Sequence, residues 1–248
     1  MFKPIFSRMV WILAIPLVVL SFSFSRPDQK KKPKVLIYSK TNGYHHASIP
    51  NGIKAIEQLG AANGFSVDAT TDSLQFTDKN LKQYAAVIFL STTANVLDAT
   101  EQGAFERYIR SGKGFVGVHA AADTEYDWPW YNQLVGAYFK SHPAQQTAKL
   151  EIKDNSFIAT KHLPATWERK DEWYNFRDTM WDKVHILITI DEKSYNGGAN
   201  YGYHPMAWYR EFDGGRSFYT ALGHTEESYT DENFLKHLLG GIEYAIGK

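Results

Sequence analysis

The chain has 248 residues, of which 44% are hydrophobic and 22% are charged, as is usual for a globular protein. Its 27 basic and 27 acidic side chains balance, so nothing in the charge favours nucleic acid as a partner. The chain contains no cysteine, which excludes disulfide bonds, thiolate catalysis and cysteine-ligated metal centres.

The N-terminus predicts an export signal at residues 1–25. Two basic residues precede an uncharged segment at 9–24, and Ser23 and Ser25 are the small residues expected at the −3 and −1 positions of a cleavage site. We therefore expect a periplasmic protein that begins with the charged linker 26–33. Basic residues also follow the apolar segment. Because positive charge usually remains on the cytoplasmic side, an uncleaved membrane anchor is the alternative.

Strand and helix patterns alternate along the first half of one predicted domain, residues 34–247. Strands are predicted at residues 35–39, 65–69, 85–90 and 115–118. Between them lie a helix that begins near Ile49 and ends by Gly64, and an amphipathic helix that Gly112 closes. This alternation is typical of a parallel sheet covered by helices on both faces, a three-layer αβα fold.

The second half of the domain has a different composition. Residues 126–209 contain six of the seven tryptophans and eight of the fifteen tyrosines, with strand patterns at 184–190 and 206–209. We interpret this window as an elaborated, aromatic-rich region lying over the sheet. The sequence then predicts a strand at 216–222 and a final helix from about residue 231, capped by Thr230.

The segment GKGFVGVHAAAD at residues 112–123 places His119 between a buried strand and a helix. Some α/β enzymes present a nucleophile on such a turn, where the side chain stands exposed above the sheet. Parallel sheets bind ligands beyond the carboxyl ends of their strands, so the loops that carry His45, His46, His119 and Asp123 should meet there. Asp123, four residues after His119, would share a helical face with it and orient its ring, or merely cap the turn.

The same outline, a strand–elbow–helix with a later histidine after a strand, is that of the class I glutamine amidotransferases. Those enzymes carry Gly-x-Cys-x-Gly at the elbow, whereas this chain has GVHAA at residues 117–121 and, downstream, His224. Because no cysteine can supply the thiolate, amidotransferase activity is excluded even if the fold is shared.

Five motifs, taken in order, resemble the ThuA-like (trehalose utilisation) family across residues 34–247. They are GYHHASI at 43–49, GVHAAAD at 117–123, DEWY at 171–174, HPMAW at 204–208 and GRSFYTALGHT at 215–225. The resemblance implies a flavodoxin-like, class I glutamine amidotransferase-like fold and a role in sugar catabolism, without defining a reaction. The family's polar motif positions fall on His46, His119, Asp123, Glu172, His204 and His224.

Proton transfer is the chemistry that these residue types favour. Imidazoles exchange protons near neutral pH, so we expect His119 and His224 to be catalytic, with Glu172 as a further acid or base. A structural role is the alternative for each of them. For the remaining histidines of the second half we assume a structural role: His142, which precedes a proline in a turn, His162, His185 and His237.

Sugar binding would use a second set of side chains. Tryptophan and tyrosine faces stack on the apolar face of a sugar ring, while carboxylates and imidazoles bond its hydroxyls. The candidates for contact with a small carbohydrate ligand are His45, His46, Asp123, Trp173 and His204. The tryptophans expected to be exposed are Trp128, Trp130 and Trp173.

A divalent metal ion is a further possibility for the same pocket. Three histidines and a carboxylate suit zinc, iron or nickel, although no short-range motif such as His-Glu-x-x-His is present. Without a metal, the histidines would act as acid and base on a keto-sugar or a glycoside.

Two functions from different classes remain open. The first is an exported sugar-processing enzyme, a hydrolase or isomerase acting on a glycoside or keto-sugar. The second is a non-catalytic carbohydrate-binding or accessory protein that keeps the fold without the nucleophile. The two differ in whether the histidines converge on one open pocket or are separately buried and bonded.

The export signal gives a direct prediction. N-terminal sequencing of the protein from its native envelope should begin at Arg26, because cleavage after Ser25 removes the apolar segment. Recovery of an intact Met1 in the membrane pellet would favour the uncleaved anchor instead.

Overall fold

The protein is described from a computed structural model that covers residues 1–4 and 32–248. The predicted apolar segment 9–24 and the cleavage site at Ser25 lie outside the described residues. Residues 32–248 form one unit. Within the described part of the chain, no helix has the length and apolar character needed to cross a membrane.

Eleven strands and five α-helices make up the described fold. The strands are β1 Lys34–Tyr38, β2 Ser66–Thr70, β3 Ala86–Leu90, β4 Gly114–Val118, β5 Tyr138–Ser141, β6 Gln146–Ile152, β7 Thr166–Asp171, β8 Asn175–Arg177, β9 His185–Ile190, β10 Pro205–Phe212 and β11 Gly215–Thr220. The helices are α1 Ile49–Asn63, α2 Asp78–Leu81, α3 Ala99–Arg110, α4 Pro129–Val135 and α5 Glu232–Ile246. The predicted strands and the two predicted long helices before residue 120 are confirmed to within a few residues at each end.

Nine strands form one sheet in the order β2-β1-β3-β4-β11-β10-β9-β6-β7. The first five of these strands are parallel to one another. β3 and β4 are buried along their whole length, which matches their continuous apolar sequence and requires cover on both faces.

The two faces are distinguished by neighbouring residues of β11. The Ser217 hydroxyl donates to the Leu134 carbonyl of α4, whereas Phe218 packs on His237 of α5. Because successive side chains of a strand point to opposite faces, α4 and α5 lie on opposite sides of the sheet. α1 contacts α5. The predicted three-layer αβα fold is confirmed.

The aromatic-rich region was predicted to lie over the sheet, and this placement is wrong for most of it. β10, β9, β6 and β7 continue the central sheet in antiparallel pairing; only β5 and β8 form a separate two-stranded sheet. The cause is the turn Asp213-Gly214 between β10 and β11, where φ is +50° and +87°. Two positive φ values in a two-residue loop make a tight hairpin, which sets β10 antiparallel beside β11.

The tryptophans expected to be exposed are not. Trp128 and Trp173 are buried, and Trp130 is partly buried against the core. The indole N–H of Trp128 donates to Glu106 and that of Trp130 to Asp213. A carboxylate distant in sequence therefore satisfies the indole N–H of Trp128 and of Trp130.

The predicted cap of the last helix is wrong by one residue. The Asp231 side chain accepts from the backbone N–H of Phe234 and caps α5. The Thr230 hydroxyl donates instead to the carbonyl of Glu227, inside the short 3₁₀ turn Glu226–Thr230.

His237 of α5 gives a pH prediction. The ring is fully buried, with Nδ1 2.8 Å from the Ala159 carbonyl oxygen and Nε2 3.1 Å from Thr220 Oγ1. Burial lowers the pKa of His237 from 6.5 to about 4. Because the folded-state pKa lies below the unfolded one, His237 destabilises the fold as the pH falls from 6.5 towards 4, by about 3 kcal/mol when the loss is complete.

Chemical denaturation of wild type and His237→Gln at several pH values measures this effect. The free energy of unfolding of the variant should fall less steeply over that interval, because glutamine does not titrate. Parallel pH profiles for the two proteins would contradict the prediction.

Candidate functional site

A cavity of about 350 Å³ lies beyond the carboxyl ends of β1, β4 and β11, where the loops of parallel strands are expected to meet. We call it the main cavity. It is lined by Tyr44, His46, Asp123, Phe139, His142, Gln145, Glu172, Tyr174 and His224. Four of the eight predicted site residues therefore line this cavity: His46, Asp123, Glu172 and His224.

His119 follows β4 directly and has a φ of +50°. This left-handed conformation is uncommon for a residue with a side chain and marks a sharp elbow. The helix after it is a single 3₁₀ turn, His119–Ala122. The sequence predicted an exposed ring at this turn, but the ring is fully buried. It is covered by Tyr174, at 4.3 Å between ring centroids, and by His46 at 4.8 Å.

A backbone carbonyl fixes the tautomer of His119. Nδ1 lies 2.9 Å from the Ala221 oxygen, which can only accept, so Nδ1 carries the proton in the neutral ring. Nε2 then keeps its lone pair. Ala221 thus does what the sequence had suggested for Asp123.

Two side-chain atoms lie close to this nitrogen. His119 Nε2 lies 3.1 Å from His224 Nδ1 and 3.4 Å from Glu172 Oε2, and the latter two atoms are 3.2 Å apart. With a ring nitrogen of His46 they form a group in which all four ligand atoms lie within 4.8 Å of one another. We call these four residues the histidine–glutamate cluster.

His46 completes the cluster from the loop after β1. Its ring meets those of His119 and His224 edge to face, with centroids 4.8 and 5.1 Å away. Its Nδ1 is buried and has no hydrogen-bond partner. Burial, followed by the neighbouring His119 and His224, lowers the pKa of His46 to about 2, so the ring is neutral at physiological pH.

Glu172, directly after β7, supplies the carboxylate. Burial raises the pKa of Glu172, but the contacts with His119 and His224 outweigh burial and hold it well below its usual range. The second carboxylate oxygen, Oε1, lies 3.1 Å from Nδ1 of His142. One ionised carboxylate therefore joins three imidazoles.

His142 is the member of this site that the sequence analysis missed. It was assigned a structural role because it precedes a proline in a turn, yet it is 44% exposed, lines the main cavity and contacts Glu172. No local pattern pointed to it, since its partner lies on another strand.

The buried carboxylate of Asp171 positions the cluster. It accepts hydrogen bonds from the backbone N–H groups of Glu172, Gly223 and His224 at 2.9, 3.0 and 3.2 Å. It also forms an ion pair at 3.0 Å with Arg169, which is buried as well. Asp171 thereby joins the end of β7 to the loop after β11. Asp171 is the first residue of the DEWY motif, and no feature of the sequence predicts this role for it.

Asp123 lines the cavity without contacting His119 through a hydrogen bond. The Tyr126 hydroxyl donates to its carboxylate. Burial raises the pKa of Asp123, although the bond from Tyr126 opposes the shift. Because the segment is a 3₁₀ turn rather than an α-helix, the spacing of four residues does not place it on the face of His119.

Three further predicted site residues lie outside the main cavity. His45 is exposed, and its Nδ1 lies 3.1 Å from Thr41 Oγ1. His204 is fully buried, with Nε2 2.7 Å from the Tyr174 carbonyl oxygen. Trp173 is fully buried and donates to the Gln146 carbonyl. In an extended segment, Trp173 points away from the side of Glu172 and Tyr174.

Comparison with known proteins identifies relatives of this chain. The family model ThuA, described as trehalose utilisation, matches residues 34–245. A search of curated proteins finds no match.

Solved structures of ThuA-like proteins are similar to this chain. A ThuA-like protein from Bacteroides uniformis aligns with a TM-score of 0.75 and 27% identity over 90% of this chain and 96% of its own. A ThuA-like protein from Parabacteroides merdae aligns with a TM-score of 0.72 and 23% identity, over 88% of this chain and 91% of its own. The β-galactosidase from Bacillus circulans shares the fold in a part of its chain, with a TM-score of 0.57 and 14% identity over 86% of this chain and 31% of that one.

The Arg169–Asp171 pair gives a stability prediction. Asp171→Asn should destabilise the fold by about 3–5 kcal/mol, because it leaves the buried Arg169 without a counter-charge. The double variant Arg169→Met with Asp171→Asn should lose less than the sum of the two single variants, since no unpaired charge remains. Urea unfolding of the four proteins measures the difference. Additive losses would show that the two charges do not depend on one another.

Proposed function

The chain belongs to the ThuA family, described as trehalose utilisation, and on that premise we propose that it processes a small carbohydrate at the histidine–glutamate cluster. The family supports a carbohydrate-related role in general; the enzymatic activity is our proposal. The observation that carries it is the convergence of His119, His224 and Glu172, with three interatomic distances of 3.1–3.4 Å, since His224 and Glu172 also line the main cavity.

The walls of the main cavity suit a sugar. Phe139 is partly exposed and packs on the buried ring of Tyr174, with ring centroids 4.3 Å apart, so it offers an apolar surface against which a sugar ring can stack. Asp123, His142 and Gln145 provide polar groups for the hydroxyls. A volume of about 350 Å³ is within the usual range of small-molecule sites.

A second cavity adjoins the first and indicates room for a larger substrate. It has a volume of about 260 Å³ and shares Tyr44, Gln145 and His224 with the main cavity. Its far side carries the carboxylates of Glu226 and Glu227. A disaccharide would place one ring in each cavity, with the bond between the rings near His224. This arrangement favours a glycoside or a keto derivative of one.

His224 is the group best placed for proton transfer to the substrate. Its Nδ1 faces Glu172 and His119, whereas its Nε2 makes no hydrogen bond to the described residues. A carboxylate that accepts from one nitrogen of an imidazole leaves the other nitrogen as a base. His224 lines both cavities, and His142, on the second oxygen of Glu172, can serve as the partner acid. Such a pair can enolise a keto-sugar or assist hydrolysis.

A non-catalytic carbohydrate-binding role is the second candidate. It is favoured by the complete burial of His119, which prevents that residue from touching a sugar directly. Under this alternative the cluster would only stabilise the cavity floor.

We also propose that the protein acts after export. The support for export comes from residues 1–25 alone, with their apolar segment and small residues before position 26. A periplasmic enzyme would meet disaccharides before or during their uptake.

Variants of the cavity test the proposed activity. Glu172→Gln and His224→Ala should each lower turnover of a disaccharide or its keto derivative about 100-fold or more, the usual effect of losing a general acid or base. His185→Ala is the matched control, because His185 is exposed on β9 and is not among the residues that line either cavity. Its turnover should be that of the wild type.

The measurements are turnover and sugar affinity, with far-UV circular dichroism to confirm folding. Full activity in folded Glu172→Gln would place the chemistry elsewhere. Sugar binding without turnover in the wild type, and in every variant, would favour the accessory role.

A further inference from the structure

We propose that the histidine–glutamate cluster is a binding site for one divalent transition-metal ion, held by His46, His119, Glu172 and His224. This inference rests on the proposed function in one respect: both place the chemistry at the same cluster. It adds a cofactor and reassigns the groups that move protons.

The distances match those of a coordination sphere. The three close pairs, His119 Nε2 to His224 Nδ1, His119 Nε2 to Glu172 Oε2 and His224 Nδ1 to Glu172 Oε2, measure 3.1, 3.4 and 3.2 Å. In a tetrahedral zinc site with bonds of about 2.0–2.1 Å, neighbouring ligand atoms lie about 3.3–3.4 Å apart. These atoms therefore match one face of a tetrahedron, and a ring nitrogen of His46, within 4.8 Å of them, would close in by a small movement to become the fourth ligand.

With both imidazoles neutral, hydrogen bonds alone do not satisfy this arrangement. His119 Nδ1 then donates to the Ala221 carbonyl, so Nε2 has only a lone pair. Glu172 Oε2 is an ionised oxygen and also only accepts. A single proton, on His224 Nδ1, can point at one of them but not at both, which leaves two acceptors 3.4 Å apart with no proton between them. A cation in the centre satisfies all three atoms.

An orphaned polar atom in the same cluster supports a cation. His46 Nδ1 is buried without any hydrogen-bond partner. An unpartnered buried nitrogen costs free energy unless something binds it. Among the described residues Nδ1 has no donor or acceptor, and a ring nitrogen of the same imidazole lies within 4.8 Å of the other three ligand atoms.

The surroundings of the cluster are those of a metal site. Metal-ligating histidines usually donate their other ring N–H to a backbone carbonyl or carboxylate, and ligating carboxylates are themselves hydrogen-bonded. His119 donates to Ala221, and the free oxygen of Glu172 faces His142 at 3.1 Å. Asp171 fixes the backbone of both Glu172 and His224. The ligands are thus held in position before an ion arrives.

The donor set defines the class of ion. Three imidazoles and one carboxylate suit zinc, iron, cobalt or nickel, whereas magnesium and calcium prefer oxygen ligands. With four protein ligands, such an ion would reach a sugar in the main cavity only by expanding to a fifth position, where it would polarise a carbonyl or hydroxyl oxygen. Its ligand nitrogens carry no exchangeable proton, so proton transfer falls to His142 and to Asp123, which both line that cavity.

Metal content and affinity of the untagged chain test the proposal without an activity assay. The protein is stripped with a chelator and titrated with Zn²⁺, Ni²⁺, Mn²⁺ and Mg²⁺, with calorimetry for affinity and elemental analysis for stoichiometry. We expect one transition-metal ion per chain, an increase in thermal stability on binding, and no binding of Mg²⁺. Glu172→Gln and His46→Ala should each weaken binding about 100-fold or more, since loss of even an outer partner costs 10- to 100-fold.

His185→Ala is the control for binding to surface histidines and should bind like the wild type. Because the buried His119 affects packing, the conservative Glu172→Gln variant carries the test, with circular dichroism to verify its fold. Failure of the wild type to bind any of these ions, or unchanged affinity in Glu172→Gln and His46→Ala, overturns the proposal.

The outcomes also separate this inference from the proposed function. Turnover by a metal-free chain that binds no ion would overturn the metal site and leave the proposed activity intact. Stoichiometric binding that depends on Glu172 and His46, with no turnover of any sugar, would support the metal site and contradict the activity.

Discussion

The buried carboxylate of Asp171 holds together the two segments that carry Glu172 and His224. Glu172 follows β7, the last strand of the sheet, and His224 follows β11, the fifth, with three strands between them. Asp171 spans that separation by accepting the N–H groups of Glu172, Gly223 and His224. Its own charge is balanced by Arg169, whose guanidinium lies between the rings of Trp167 and Phe234. The cluster is therefore assembled by an ion pair that takes no part in its chemistry.

The elbow shows how this protein departs from the amidotransferase arrangement. In that arrangement the turn holds a nucleophile out towards the substrate. Here the same backbone, with φ of +50° at His119, directs a ring nitrogen into a closed group of side chains. His224 and His142 reach the cavity instead. In this chain the side chain at the turn is thus an internal partner of the cluster.

The sequence predicted the parts of the site that depend on parallel strands and missed those that depend on tertiary contacts. The loops after β1, β4 and β11 meet because parallel strands end at one edge, and this brings His46, His119 and His224 into one cluster, with His119 buried behind the cavity wall. Residue identity could not reveal that Trp173 points inward or that His142 reaches Glu172, since both follow from the path of the chain after β7. The Asp213-Gly214 pair is a sequence signal for a tight hairpin, and this hairpin determines that β10 pairs with β11 in the central sheet.

The sheet order also affects the tendency of the protein to self-associate through an edge strand. β7 is an edge strand, and an edge presents unpaired backbone groups to which another chain can add a strand. Thr166, Glu168 and Lys170 stand exposed along it, alternating with the inward-facing Trp167. Charged side chains of both signs on an edge discourage such pairing, because association would remove them from water. The strand that delivers Glu172 is thereby protected against recruitment into intermolecular aggregates.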